Sequence, residues 1–227
     1  MADDWAALYR LLNWLSPGFP IGAFSYSHGL EATMESGRVS DSASLQAWIA
    51  AVVVQGSGRV DADILRDAHR AAAIGDLAAL SAVNQRGLAY RATAELARET
   101  AAQGAAFLTT CRDAWPDGLL ERWAGAGECV CYPAAVGAAT ARADIALESV
   151  LVAYLQAMAA NLVSAGLRLG IVGQTDGQRI LAALEAAVVL AARDAVTRDP
   201  ADFGAATFAV DVASMAHETQ YTRLFRS

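Results

Sequence analysis

Apolar residues recur along most of the chain at three- and four-residue intervals, the period of a helix with one buried face, and nowhere do they alternate as in a half-buried strand. Trp5, Leu8, Leu12 and Leu15 fall on one such face behind Asp3 and Asp4, which are placed to cap the first turn, and Pro17 closes the segment. Leu45, Trp48, Ile49, Val52 and Val53 repeat the pattern after Ser40 and Asp41. The spacing predicts further helices over residues 60–74, 76–87 and 90–114, the last stopped by Trp115-Pro116-Asp117-Gly118. The apolar run 145–172 carries Glu148, Gln156, Asn161, Ser164 and Arg168, which a bilayer would have to bury at a cost, so it reads as a core helix of a soluble protein. Thr175-Asp176-Gly177-Gln178 fits a capping box that opens a helix with Ile180, Leu181, Leu184, Val188 and Ala191 on its apolar face. Asp199-Pro200 ends that helix, and a last one is expected over 203–218. These elements predict an all-α fold, a single domain over residues 1–227 built as an orthogonal, irregular bundle of roughly ten helices. No internal repeat or low-complexity linker interrupts it.

Composition narrows the chemistry. All 17 basic residues are arginine, and against 24 acidic ones they leave a net charge of −7. Without lysine there is no Walker A phosphate loop and no Schiff-base amine. The acidic balance argues against nonspecific nucleic-acid binding, which rests on many cation–phosphate contacts. Charged residues are only 18% of the chain, below the ordinary quarter or so. The apolar excess has two readings, a large core or a surface that another protein covers. The opening Met1-Ala2-Asp3-Asp4 is not a secretory signal, and the odd cysteine count gives no disulfide framework, so the expected compartment is the reducing cytoplasm.

Two segments depart from helical period. Residues 16–31 combine Pro17 and Pro20, Gly18, Gly22 and Gly29, the aromatics Phe19, Phe24 and Tyr26, then His28 and Glu31. Prolines stiffen such a loop while glycines open conformations closed to other residues, so it either presents its aromatics to a partner or plugs the core with them. The carboxyl end carries His217, Glu218, Gln220, Tyr221, Arg223, Leu224, Phe225 and Arg226. Chain ends are usually polar and frayed, whereas tyrosine and arginine are enriched at binding hot spots. Docking through Tyr221, Leu224 and Phe225, with Arg223 and Arg226 giving charge-assisted bonds, competes with folding back onto the chain's own body.

The metal and catalytic signals are thinner. Cys129 and Cys131 form a Cys-x-Cys pair, and thiolates bind soft and borderline metals while imidazoles suit several transition metals, so Cys129, Cys131, His28 and His217 are the candidate ligands. Two cysteines do not complete a site, and cysteine is also a common core residue. His69, between Asp67 and Arg70, is expected on the surface. No His-Glu-x-x-His is present, and no nucleophile–base–orienter set is legible from spacing, since such sets are defined by geometry.

Three segments, "SPGFPIGAFSYSHGLE", "RLGIVGQTDGQ" and "HETQYTRLFRS", resemble in sequence and order the urease accessory protein UreF family. The likeness runs through essentially the whole chain. It departs where family members commonly carry proline-leucine before the Gly-Gln and this chain has Ile171-Val172. The resemblance implies a non-enzymatic, cytoplasmic, all-helical maturation factor with no firmly bound cofactor. It would bridge the UreD/UreH scaffold and the UreG GTPase for delivery of nickel to apo-urease, as a homodimer within that complex. Activation or regulation of the GTPase, with an arginine supplied in trans, and direct nickel binding are the alternatives it leaves open. Phe19, Phe24, Tyr26, His28, Glu31, His217, Glu218, Gln220, Tyr221, Arg223, Leu224, Phe225 and Arg226 are then the expected partner-contact residues.

Overall fold

The computed structural model describes residues 2–227, with side chains from residue 5 onward; the expected caps Asp3 and Asp4 lie outside the described side chains. Eleven α-helices and two short 3₁₀ turns account for its regular structure, and the described residues hold no strand. They are α1 (Ala2–Trp14), α2 (Leu30–Glu35), α3 (Ser42–Gln55), α4 (Ser57–Ala73), α5 (Leu77–Ala89), α6 (Ala94–Ala114), α7 (Gly118–Gly125), α8 (Tyr132–Arg142), α9 (Leu147–Arg168), α10 (Gln174–Thr197) and α11 (Phe208–Glu218), with the 3₁₀ turns at Ala23–Ser25 and Pro200–Asp202.

Short polar side chains start several of these helices by accepting first-turn N–H groups. Asp41 accepts from Ser44 N–H at 2.8 Å, with Ser44 Oγ reaching back to complete a capping box. Asp76, Thr93 and Asp117 do the same for α5, α6 and α7. The capping box expected at Thr175 does not form. α10 starts two residues earlier than a Thr175 cap would give, at Gln174, behind Gly173 and without a side-chain cap, after a left-handed turn at Gly170 (φ +74°).

α4 runs through the centre with Ile64, Leu65, Ala68 and Ala72 fully buried. α8 lies against it through Ala134, Ala135, Ala138 and Gly137, residues small enough for two backbones to approach. A Cβ added at Gly137 would stand 2.4 Å from the Leu65 carbonyl oxygen and 3.1 Å from the His69 nitrogen, so the two helices would have to separate. Gly137→Ala is expected to lose about 1–3 kcal/mol by overpacking, read as a lowered thermal midpoint. Gly125→Ala, where nothing lies within 4 Å, is the matched control and should move little.

α9 is long and apolar enough to cross a bilayer, yet Leu151, Leu155 and Leu162 lie in the core beneath α3 and α10. On α3 and α10 the predicted faces are the buried ones, through Leu45, Ile49, Val52 and Val53, and through Ile180, Leu184, Val188 and Ala191.

α1 reverses its prediction. Leu11 and Trp14 are buried, whereas Trp5, Leu8 and Leu12 face solvent, Trp5 at 80% exposure. The helix is held by its last turn, where the Trp14 ring meets Phe107 and Trp115 edge-on at 6.2 and 5.5 Å, so the stripe of greatest hydrophobicity is left uncovered. His69 is also placed otherwise: half-buried, it donates from Nε2 to the Ile145 carbonyl at 2.9 Å, and burial lowers its pKa below the ordinary 6.5.

Arginine does structural work that lysine could not. At the end of α10 the carbonyls of Ala195, Val196 and Arg198 lack helical partners. Arg66 Nη1 donates to Ala195 O at 2.6 Å and Arg198 O at 3.3 Å, and Arg70 Nη2 to Val196 O at 2.9 Å. The same Arg66 guanidinium binds Asp63 and Asp67. A planar, multi-donor fork can serve four acceptors in this way; a single ammonium cannot.

Candidate functional site

The segment between α1 and α2 turns twice through left-handed backbone. Gly22 (φ +72°) precedes the first 3₁₀ turn, and His28 (φ +52°) and Gly29 (φ +74°) precede α2. Gly29 is required twice over, since a Cβ there would stand 2.8 Å from the Ser214 backbone nitrogen on α11. Phe19 is buried against the Phe107 ring at 5.2 Å and Tyr26 is buried too, while Phe24 remains 67% exposed.

The carboxyl-terminal residues lie along this same segment. Arg226 N–H donates to Ser25 O at 2.8 Å, and Ser27 donates to Ser227 O from both its N–H (2.9 Å) and its hydroxyl (2.5 Å). Glu31 accepts the backbone N–H groups of Leu224 (2.7 Å) and Phe225 (3.0 Å) and also faces His217 Nε2 at 3.2 Å. Phe225 is buried beneath the Arg168 guanidinium, which stacks 4.5 Å from its ring centre and also donates to Phe24 O.

Two further carboxylates, one turn apart on α6, complete the junction. Glu95 binds His217 Nδ1 (2.7 Å) and Arg223 (2.6 Å), and Glu99 accepts from Gln103 (3.0 Å), His28 Nε2 (3.0 Å) and the Ser227 hydroxyl (2.9 Å). Three buried glutamates are thus matched by two histidines, one arginine and backbone N–H groups, as buried charge requires. His217 presents one ring nitrogen to each of two carboxylates. Since carboxylates accept only, both contacts are hydrogen bonds when the ring carries both protons.

This placement divides the expected partner-contact residues into two groups. Phe19, Tyr26, His28, Glu31, His217 and Phe225 are turned inward and tie the two segments together, because the ring faces and charged groups find partners within the chain. Phe24, Glu218, Tyr221, Leu224 and Arg226 remain exposed, Arg223 is exposed but bound to Glu95, and Gln220 donates to Thr222 O. Glu95, Glu99, Ser27 and Arg168 were not singled out by sequence. The available signal was Glu95 and Glu99 at i, i+4 on the face that also carries Leu96, Gln103 and Phe107, acids where a core stripe runs.

Beside the junction lies a cavity of about 790 Å³. The 16–24 segment forms one wall, and His28, Ser57, Asp61, Arg91 and Glu99 line its polar part. Asp61 pairs with Arg91 at 2.7 Å and accepts from the Tyr154 hydroxyl at 2.8 Å. Burial opposes charge on His28, but Glu99, and more weakly Asp61, outweigh it, and its pKa is raised above 6.5. A histidine raised on folding stabilises fully below its unfolded value, and the gain is lost as pH rises through the folded one. The stability difference between the wild type and His28→Gln should therefore be greatest on the acid side of pH 6.5 and shrink above it, as measured by urea titration across pH.

The cysteines do not form the chelate that their spacing suggests. Asn84 clamps the segment, donating to Cys129 O at 2.7 Å and accepting from Cys131 N–H at 2.8 Å. Cys129 is left exposed while Cys131 is buried beneath Gly87, and burial pushes the Cys131 thiol up to about 11. Among the described residues, no three or more His, Cys, Asp or Glu side chains are grouped to hold a metal ion.

Comparison with known proteins places this arrangement. The UreF family model matches residues 39–185. A urease accessory protein UreF of Bradyrhizobium sp. (strain ORS 278) is 49% identical over 224 residues, 99% of this chain and 93% of its own length. Its counterpart in Rhodopseudomonas palustris (strain HaA2) is 48% identical over 227 residues, 100% of this chain and 96% of its own. The chain belongs to the UreF family. The matched UreF core, 39–185, supplies Ser57, Glu95 and Glu99, whereas the early segment and the tail that dock on it fall outside those bounds. The alignments to whole UreF relatives extend over both.

Proposed function

We propose that this UreF chain serves urease maturation as an assembly factor, bridging a UreD/UreH-type scaffold and a UreG-type GTPase so that nickel reaches apo-urease. The relatives' shared description as urease accessory proteins supports the maturation role. The observation that carries the bridging role is the junction itself. Two segments nearly 200 residues apart are locked together by buried charge, and the lock leaves Phe24, Tyr221, Leu224 and Arg226 outward. Exposed aromatic and aliphatic groups beside an arginine on a rigid base are the makings of a binding hot spot. In this reading Glu31, Glu95, Glu99, His28 and His217 set the shape of the surface without touching the partner. The complex, in the cytoplasm and with this chain as a homodimer, carries the nickel.

The test separates surface from lock. Combined Phe24→Ala, Tyr221→Ala and Leu224→Ala should leave the thermal midpoint within a few degrees yet lower capture of scaffold or GTPase by at least tenfold and block nickel-dependent urease activation in a reconstituted assay. Full capture by this variant would refute the assignment. A second reading, stimulation of the GTPase by an arginine in trans, is favoured by one observation. Arg226 is exposed, and its guanidinium makes no hydrogen bond among the described residues. Such an arginine accelerates GTP hydrolysis by about 10³–10⁵-fold, so loss of stimulation in Arg226→Ala with binding retained would select that reading.

A further inference from the structure

The polar part of the cavity holds an ordered set of groups that partner capture does not use. Ser57 Oγ lies 3.4 Å from His28 Nδ1, and His28 Nε2 lies 3.0 Å from Glu99 Oε1. All three residues line the same cavity. Because the Glu99 carboxylate only accepts, the neutral ring carries its proton on Nε2, and the Nδ1 lone pair faces the Ser57 hydroxyl. The Ser57 contact is long, as such contacts commonly are before a substrate is bound.

Three features fix the set in place. Gln103 donates to the same Glu99 oxygen as His28, Oε1, and Ser227 holds the other, Oε2. His28 sits at φ +52°, a conformation that costs a non-glycine residue roughly 1–3 kcal/mol and that gathers at functional sites. Ser57 is the first residue of α4, between Gly56 and Gly58, where N–H groups lack intrahelical acceptors and the helix dipole favours developing negative charge. The remaining walls are largely apolar, through Phe19, Ile21, Leu96 and Met158, while Asp61 and Asp211 oppose an anionic ligand.

We propose that Ser57, His28 and Glu99 act as nucleophile, general base and orienting carboxylate, and that this chain cleaves small uncharged esters with an apolar acyl group in the cavity. Ser57 Oγ bonds to the ester carbonyl carbon as its proton passes to His28 Nδ1. The carbon–oxygen bond to the alcohol then breaks, and the alcohol departs with that proton. Water, deprotonated by the same nitrogen, attacks the acyl-serine, releases the carboxylic acid and restores the hydroxyl. Glu99 is a positioning residue, holding the ring's tautomer and stabilising the charge it gains. The groups that face the ring are Glu99 from α6, Ser57 and Asp61 from α4, and Arg91 from the turn before α6.

The purified full chain is incubated with 4-nitrophenyl butyrate, and separately with an alkyl fluorophosphonate whose adduct is located by peptide mass spectrometry. The expected result is nitrophenolate release above the buffer rate and an adduct on Ser57. Ser57→Ala should abolish both at an unchanged thermal midpoint, and His28→Gln should slow release by about 10²–10⁴-fold. The wild-type rate should rise with pH as His28 loses its proton, and Glu99→Gln should move that midpoint to lower pH, a shift that mere loosening of the fold would not produce. Ser57→Cys, which keeps a nucleophile in place, should still be acylated and guards against misfolding of the alanine variant. No adduct, an adduct on another residue, or release indifferent to His28→Gln would overturn the proposal. Capture of maturation partners is a separate measurement and stands or falls on its own.

Discussion

Glu31→Ala should detach the carboxyl-terminal segment and lower global stability by about 3–5 kcal/mol, the range for breaking a buried charged pair. One side chain accepts the N–H groups of Leu224 and Phe225 and faces His217 Nε2, so its removal leaves two backbone donors and one imidazole nitrogen without partners, while His217 Nδ1 keeps Glu95. The loss is read directly from urea denaturation. Limited trypsin digestion supplies the local signature: cleavage after Arg223 should come well before cleavage in the helical body, whereas in the wild type Arg223 is tethered to Glu95. A variant that lost stability yet kept the tail resistant to trypsin would mean that Phe225, packed under Arg168, is the true anchor. Glu31→Gln separates charge from shape, since its one carbonyl oxygen can still accept while its amide cannot.

The second large effect belongs to Arg66. Replacement by alanine strips two carbonyls at the end of α10 of their donor and leaves Asp63, which is buried, with Arg198 as its remaining close cation. A loss of about 3–5 kcal/mol is expected here as well. Arg66→Lys is the sharper experiment. The charge is kept, but a lysine ammonium cannot reach Asp63, Asp67, Ala195 O and Arg198 O together. It should recover less than half of the loss, measured by the denaturation midpoint. Full recovery would show that charge alone matters at this position, and the absence of lysine would then need another cause.

Of the helices that sequence read best, α3, α5 and α10 each bury one face against a broad neighbour, which is the condition that helical periodicity reports, while α4 is buried on every side over residues 60–66. α1 fails that condition. Among the described residues it packs on the body through Ala7, Leu11 and Trp14 alone, so Trp5, Leu8 and Leu12 mark a face that this chain does not cover. The starts of α6 and α11 fall four and five residues later than predicted, for tertiary reasons. Arg91 is drawn to Gly87 O and Asp61, and residues 202–206 are held as a strap by Arg59 and by Gln55 O. Neither pull is visible in local propensity. The two unusual segments were legible as such because aromatic, glycine and arginine content is a local property. That they meet was not legible, since the meeting depends on Glu31, Glu95 and Glu99, whose partners lie more than 70 positions away in the chain. The Ser57–His28 contact, across 29 positions and two intervening helices, was hidden too.

Besides the Gln103 amide on its own helix, Glu99 serves two distant groups, one at each oxygen. One holds His28 beside the cavity, and the other holds Ser227 at the far end of the tail. A carboxylate shared in this way makes the two places thermodynamically conjugate. A protein that grips the tail and shifts Ser227 must change the free energy of whatever occupies the cavity, and an occupant there must change the grip on that protein by the same factor. Partner affinity and cavity occupancy are then one measurable quantity seen from opposite ends.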